Sequence, residues 1–505
     1  MNDIIRTLRS LQPERLRGMR RGVEKESLRV GPDGRLALTP HPQALGSALT
    51  HPHITTDYSE SQLELITGVH PDADACVREL TEIHQAVYRA IGDELLWVGS
   101  MPCALPTDET IPLGRYGTSN VGRAKSIYRM GLGLRYGRRM QTISGIHYNW
   151  SLPGLDNDEY FALIRNFRRH SFVLLALFGA SPAVCANFVA GRDHELQPLG
   201  EQTFHLPHAT SLRMGRLGYQ SDAQAALAVS YNSLASYAYS LHGALTRPHP
   251  PYERLGIRNP GGEYIQLATS LLQIENEFYG TIRPKRVIRP GERPLHALRE
   301  RGVEYVEVRC MDLDPFVPVG IEADTMRVLD VFLLHCLLSP SPPDSPQECV
   351  ALSQNQHRAA ARGREPGITL ERRGAEVALV DWAGELLAEC VPIAESLAHA
   401  LGDERYVQAL DAVRRRLAQP DTLPSARALD VIRRDFGGEY TRFVHAQSRV
   451  TQQHLAGLPY PPELQMRFDN LALASIEAQK KIEASDSMPF EIYRQAYLAP
   501  ERLGR

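Results

Sequence analysis

The segment Ser144–Leu152 (SGIHYNWSL) alternates without interruption: Ile146, Tyr148, Trp150 and Leu152 are apolar, and Gly145, His147, Asn149 and Ser151 are small or polar. Such period-two alternation turns one face of a strand toward a core and leaves the other face polar. The same pattern recurs elsewhere, and there the polar face carries acid. Arg21–Val30 sets Glu24 and Glu26 on one face, Ser61–Thr67 groups Gln62, Glu64 and Ile66, and Val303–Arg309 sets Tyr305, Glu307 and Arg309 opposite Val306 and Val308. Gln273–Tyr279 aligns Glu275, Glu277 and Tyr279 if extended, and equally suits a helix.

Helical spacing of apolar residues fills much of the remainder: Asp72–Leu95, Asn157–Phe178, Asp222–Leu245 and Glu322–Leu338. From about Ala351 onward nearly everything reads as helix, as in Leu386–Leu401 and Asn470–Glu483. The Pro-rich stretches Arg247–Pro260 and Leu338–Pro346 read as loops. Half-buried strands separated by long helical insertions predict an α+β fold with an antiparallel sheet. The expected organisation is a single catalytic domain over 1–505, with the sheet-bearing active-site part in 1–350 and a mostly helical surround in 351–505.

Composition narrows the function. Across 505 residues, 56 Lys and Arg oppose 59 Asp and Glu, for a net charge of −3. A dedicated nucleic-acid binder would carry a strongly basic domain. The seven cysteines are scattered without CxxC or CxxxH spacing, so neither a zinc site nor a thioredoxin motif is suggested, and reduced thiols are expected. The N-terminus has no continuous apolar region of a signal peptide. The longest apolar stretches, Ser171–Phe178 and Val328–Leu338, fall short of the ~20 residues of a membrane span. The expectation is a cytoplasmic protein without a membrane or nucleic-acid partner.

The acidic strand faces carry the chemistry. Two carboxylates ~4 Å apart repel by ~4 kcal/mol at an effective dielectric near 20. A divalent cation or an Arg/Lys cluster relieves that repulsion. Carboxylate oxygens suit Mg2+, with Mn2+ as the alternative, and His147 could add one nitrogen. Several Mg2+ ions held by carboxylates generally imply phosphate, hence nucleotide chemistry. Each piece also has a plainer account: Glu24 and Glu26 as a solvated strand face, His147 as a hydrogen-bonded histidine, Glu307 and Arg309 as a surface salt bridge. Tyr116–Arg123 (YGTSNVGR) suits a phosphate cradle but matches no Walker pattern. No GxSxG elbow occurs, and no GxGxxG follows an expected strand. A metal-independent carboxylate-pair hydrolase and a helical interaction protein remain as alternatives, the former disfavoured by only three Trp.

Longer motifs go further. RGVEKESLRV, HPQALGSALTHPHITTDYSESQLELIT, SMPC, YGTSNVGR, QTISGIHYNWSLP, LFGASPAVC, PHATSLRMGRLGY, LQIENEFYGTIRPKR, GVEYVEVRCMDLDPF and GREPGITL, in this order, resemble the proteobacterial glutamate–cysteine ligase family. The likeness runs from about Gly22 to Leu370, with a similar helical tail through Pro489.

The resemblance implies a glutamine synthetase/guanido-kinase-like fold, an antiparallel sheet funnel surrounded by helices. It implies ATP-dependent joining of the glutamate γ-carboxylate to the cysteine amine through a γ-glutamyl phosphate, the first step of glutathione synthesis. A related ligase joining glutamate to a different amine is the alternative. By motif match, Glu24, Glu26, Asp57, Glu64, His147 and Glu307 resemble the Mg2+ shell. Arg213 resembles the arginine that grips glutamate, and Arg309 a stabiliser of the transferred phosphoryl group. Tyr58, Tyr128, Leu132, Gln141, Tyr219 and Tyr279 fall where the family builds its cysteine pocket. Arg283, Lys285 and Arg286 are candidates for phosphate contacts. The implied partners are the small molecules glutamate, cysteine and ATP, and the chain is expected to be a monomer or weak oligomer. No cysteine is assigned a catalytic role, and Cys103 of SMPC is expected to be a small buried thiol.

Overall fold

A computed structural model of the chain describes residues 12–102, 104–218 and 227–504, together with Leu8 and Gln224. Twelve strands follow in chain order: β1 (Arg20–Val30), β2 (Ile54–Thr56), β3 (Gln62–Ile66), β4 (Leu95–Leu96), β5 (Ile146–Ser151), β6 (Ala183–Cys185), β7 (Gln197–Pro198), β8 (Thr203–His205), β9 (Ile282–Lys285), β10 (Tyr305–Met311), β11 (Thr369–Arg372) and β12 (Ala375–Ala378). Seven of them form the main sheet, in the order β2-β3-β1-β5-β10-β9, with β4 paired to the end of β1. Every pairing in it is antiparallel. The α+β expectation holds.

The alternation read from the sequence divides the sheet. Ile146, Tyr148 and Trp150 of β5, Val23 of β1 and Val306 and Val308 of β10 are almost wholly buried in one large core. The helices Ala73–Ala90, Asn157–His170 and Ala323–Leu338 contribute to that core. At about 1.5–3 kcal/mol per large apolar side chain removed from water, this burial holds the layers together. The opposite face keeps Glu24, Glu26, His147 and Glu307.

Local chemistry trims the expected helices. Asp72 caps Ala73–Ala90 by accepting from the Ala75 amide, and Leu95 leaves that helix to join β4. Asn157–Phe178 breaks at Ser171 into Asn157–His170 and Phe172–Phe178, and Leu386–Leu401 breaks at Cys390, followed by Pro392. The expected helix Asp222–Leu245 is replaced by Leu234–Thr246, which Ser233 and Ser236 start with a reciprocal capping box; positions 222, 223, 225 and 226 lie outside the described residues. Gln273–Tyr279 is not a strand. Glu275–Glu277 forms a short 3-10 turn whose acids are buried against Arg293 (2.7 Å) and Arg135 (2.9 Å).

The helical C-terminal part is joined to the sheet by buried polar contacts. Asp330 accepts from Arg21 at 2.9 Å, Tyr148 at 2.7 Å and Tyr406 at 2.9 Å, linking β1 and β5 to the helix Arg405–Leu417. The β11–β12 hairpin turns through Arg373 (φ 54°) and Gly374 (φ 83°), the left-handed pair a two-residue hairpin requires. No helix among the described residues is long and apolar enough to cross a membrane.

Candidate active site

The polar face of the main sheet floors a cavity of about 800 Å3. Register brings the acids together. Glu24 of β1 is the cross-strand partner of His147, Glu26 is that of Glu64, and Glu307 of β10 lies beside Asn149. Asp57, just past β2, completes the group. Glu24, Glu26, Asp57, Glu64, His147 and Glu307, the six residues the family likeness groups, therefore all line one cavity.

His147 stands among them, its Nδ1 3.2 Å from Glu24 Oε2 and 3.9 Å from Glu307 Oε1, and its Nε2 3.6 Å from Glu26 Oε1. The hydrogen bond to Glu24 puts the proton on Nδ1, and the buried Nε2 has no hydrogen-bond partner among the described residues. One ligand atom each from Glu24, Glu64 and His147 lie within 4.8 Å of one another.

The protein's own cations answer only part of this negative charge. Lys285 Nζ donates to Glu307 Oε1 at 3.0 Å, and Arg309 donates to Oε2 at 2.9 Å. Burial opposes ionisation of Glu307, yet Lys285 and Arg309 hold its carboxyl well below the usual range. Glu24 is likewise opposed by burial and is kept low by its bond to His147 and the attraction of Lys285. Glu26 and Glu64 are relieved less: Arg213 and Arg309 act on the former and Arg129 on the latter without overcoming burial. Burial, then the neighbouring Asp57, pushes Glu26 up to about 8, although the Gly145 amide donates to it at 2.7 Å. Burial and the charges of Glu24, Asp57 and Glu26 raise Glu64 well above its ordinary value. An unpartnered imidazole nitrogen between two carboxylates short of positive charge fits a hard divalent cation with oxygen and one nitrogen ligand.

The wall opposite is apolar and aromatic. Tyr58, Tyr128 and Leu132 belong to one small buried cluster, and Gln141 Nε2 lies 3.0 Å from the Tyr279 hydroxyl; all five line the cavity. Tyr219 lies outside the described residues. Arg283 and Lys285 reach the cavity from β9, whereas Arg286 turns away to the carbonyl oxygens of Arg301 and Gly302. Arg213 is fully buried behind the lining. It donates to the Arg309 carbonyl at 2.9 Å and stands 3.8 Å from Asp312, close enough to lower the pKa of Glu26.

Sequence reasoning missed several lining residues. Lys125 and Arg129, one helical turn apart on Asn120–Tyr136, present two more cations; burial pushes Lys125 down to about 8. Their i,i+4 spacing beside Tyr128 and Leu132 was the available signal. Tyr493 and Tyr497 reach the cavity from the last helix, Phe490–Leu498, with rings stacked 5.9 Å apart. No local signal marked them. Tyr116–Arg123 is not an open phosphate cradle: the Thr118 amide donates to Glu483, and the amide and side chain of Asn120 donate to Asp486.

A polar antiparallel sheet with a cation-deficient carboxylate cluster, basic side chains in and around it and an aromatic side pocket defines an enzyme that handles highly charged small substrates. The comparisons specify which kind. Residues 5–359 match the family model described as glutamate–cysteine ligase. The glutamate–cysteine ligase of Pseudomonas entomophila is 48% identical over 496 residues, 95% of this chain and 93% of that one. That of Azotobacter vinelandii is 46% identical over 505 residues, covering 96% and 95%. The crystal structure of the Francisella tularensis glutamate–cysteine ligase in complex with AMP superposes with a TM-score of 0.91 at 35% identity, covering 96% of this chain and 98% of that one. The bifunctional glutathione synthetase of Pasteurella multocida shares the fold, with a TM-score of 0.70 at 24% identity over 91% of this chain and 57% of that one. The chain belongs to the glutamate–cysteine ligase family.

Proposed function

We propose that the enzyme joins the γ-carboxylate of glutamate to the amine of cysteine at the expense of ATP, giving γ-glutamylcysteine, ADP and phosphate as the first step of glutathione synthesis. The observation that carries this reading is one cavity holding the cation-deficient carboxylate cluster, the Lys285–Arg309 pair on Glu307 and the Tyr58–Tyr128–Leu132 wall together.

In this scheme a glutamate γ-carboxylate oxygen attacks the γ-phosphorus of ATP and ADP departs. The cysteine amine then attacks the acyl carbon, phosphate leaves, and the nitrogen gives up a proton. Glu24, Glu26, Asp57, Glu64, His147 and Glu307 hold Mg2+ (or Mn2+), which when bound offsets phosphate charge during transfer. Arg309, fixed by Glu307, faces the moving phosphoryl group with Arg283 and Lys285 beside it. Arg213 is the arginine the family likeness assigns to glutamate; its guanidinium fork suits a carboxylate, and because it lies buried behind the lining it would have to open into the cavity to reach it. Tyr58, Tyr128, Leu132, Gln141 and Tyr279 form the cysteine pocket. No side chain of the enzyme needs to become covalently attached. Catalysis rests on positioning and preorganised charge.

The layout is also consistent with a glutamine synthetase/guanido-kinase-like funnel and with one catalytic unit over 1–505, in which the 351–505 helices lend Tyr493 and Tyr497 to the cavity. We place the enzyme in the cytoplasm, where the free thiols Cys76, Cys185, Cys310, Cys336, Cys349 and Cys390 remain reduced. The test is ADP release by purified protein with Mg2+, ATP, glutamate and a panel of amino-acid acceptors. Release that requires all four components with cysteine is expected. Equal release without cysteine would sink the acceptor assignment, and greater release with another amine would favour the alternative ligase.

A further inference from the structure

Behind the sheet, well away from the carboxylate cluster, a second group of metal-ligating side chains assembles from separate segments. His170 ends the helix Asn157–His170, while His335 and Cys336 sit in the last turns of Ala323–Leu338. One ligand atom from each lies within 4.8 Å of the other two. The His170 and His335 rings are 5.6 Å apart between centroids.

Two features distinguish this cluster from an ordinary buried histidine pair. The first is orphaned lone-pair positions. The buried Nδ1 atoms of both His170 and His335 have no hydrogen-bond partner among the described residues, a costly arrangement for a polar atom in a dry interior. The second is an outer carboxylate. His335 Nε2 is 2.8 Å from Glu389 Oε2, which puts the proton on Nε2 and leaves Nδ1 as a free donor pair. A histidine whose far nitrogen is hydrogen-bonded to a carboxylate is the arrangement that orients and strengthens a metal-ligating imidazole. His335 and Cys336 are fully buried, and Cys390 is close enough to act on the Cys336 thiol. Two of the three arginines acting on His170 are paired, Arg169 with Glu348 at 2.7 Å and Arg372 with Glu385 at 2.6 Å; the third is Arg373.

We propose that His170 Nδ1, His335 Nδ1 and Cys336 Sγ form a structural zinc(II) site, with Glu389 orienting His335. Two imidazoles and a thiolate suit zinc better than magnesium. Tetrahedral zinc places such ligands about 3.3–3.8 Å apart, so closure requires side-chain shifts on the order of 1 Å. On binding, the Cys336 thiol releases its proton to solvent and the sulfur pair bonds to the metal. Cys390 or a water completes the fourth position. His170 is only half-buried and offers the ion an access route. Cys spacing could not reveal the site, because its ligands come from separate helices and two of them are adjacent in sequence.

The experiment uses the full chain, treated with chelator and then titrated with Co2+ as an optical stand-in for zinc, in excess Mg2+. Among the described residues this is the one candidate metal cluster that contains a thiol, so a thiolate-to-cobalt charge-transfer band that depends on Cys336 reports it. The expected result is one equivalent of tetrahedral cobalt showing that band, displaced by zinc, and a higher melting temperature with zinc. Cys336→Ser should abolish the band, and Cys185→Ser should leave it unchanged. Glu389→Gln, a near-isosteric change at a half-exposed position, should weaken cobalt binding about 10- to 100-fold. Absence of the band in folded wild-type protein, its survival in Cys336→Ser, or unchanged affinity in Glu389→Gln would each overturn the proposal. If Cys336→Ser does not fold, His170→Gln takes its place, and an unaltered cobalt spectrum in that variant overturns the proposal equally.

Discussion

Glu24 and His147 face each other from neighbouring antiparallel strands, in direct register, with Nδ1 and Oε2 3.2 Å apart. That bond holds the imidazole so that its other nitrogen opens toward Glu26. It also lowers the Glu24 carboxyl against burial, which opposes its ionisation. Glu24→Gln keeps the shape and removes the charge. Turnover should fall about 100- to 1,000-fold, the scale of losing one preorganised electrostatic contact. Steady-state ADP release checks this, with circular dichroism confirming an intact fold; near-normal turnover would place the metal elsewhere.

Glu307→Gln is expected to cost at least as much, because the same carboxylate holds both Lys285 and Arg309. Losing it frees two cations that would then repel each other. The diagnostic is that kcat falls while the glutamate KM moves little.

Arg213 is held in a slot that Gly145 leaves open; a Cβ at Gly145 would strike its guanidinium. Arg213→Lys and Gly145→Ala should therefore share a phenotype, a raised KM for glutamate with that for ATP nearly unchanged. A rise mainly in the ATP KM would reassign this arginine.

Protons and metal should compete at Glu26. Its folded-state value of about 8 exceeds the ordinary 4.5, so in metal-free protein the group contributes stability fully present below about pH 4.5 and lost as pH rises through about 8. Mg2+ requires the deprotonated carboxylate. Its affinity should climb across the same window, with protons released on binding. Calorimetric titration in buffers of different protonation enthalpy reads that release directly. Affinity independent of pH across the window would contradict the assignment.

Asp330 accepts hydrogen bonds from Arg21, Tyr148 and Tyr406 in a fully buried network. Asp330→Ala strands the Arg21 guanidinium without its counter-charge. A loss of about 3–5 kcal/mol in unfolding free energy is expected, measurable by urea denaturation. A loss under about 1 kcal/mol would mean that water reaches the arginine.

The amino-acid sequence by itself determined which faces exist. Alternation in β1, β3, β5 and β10 set acids and His147 opposite apolar residues, because a strand's side-chain period is two and only one face meets the core. Longer motifs carried the family and pointed to Tyr58, Tyr128, Leu132, Gln141 and Tyr279, which line the same cavity. Folding settled which of those acids become neighbours and which are neutralised. Register joins Glu24 to His147 and Glu26 to Glu64, and Lys285 and Arg309 hold Glu307 low, while the arginines near Glu26 and Glu64 do not overcome the burial of those two acids. Glu275 and Glu277, ambiguous in the sequence, are held in a turn by Arg293 and Arg135 from distant segments. Tyr493 and Tyr497 join a cavity built mainly by the first 310 residues, and His170 meets His335 and Cys336 across two helices. Strand period is a local property of the chain, whereas charge compensation depends on contacts between segments far apart in sequence, which form only when the chain folds.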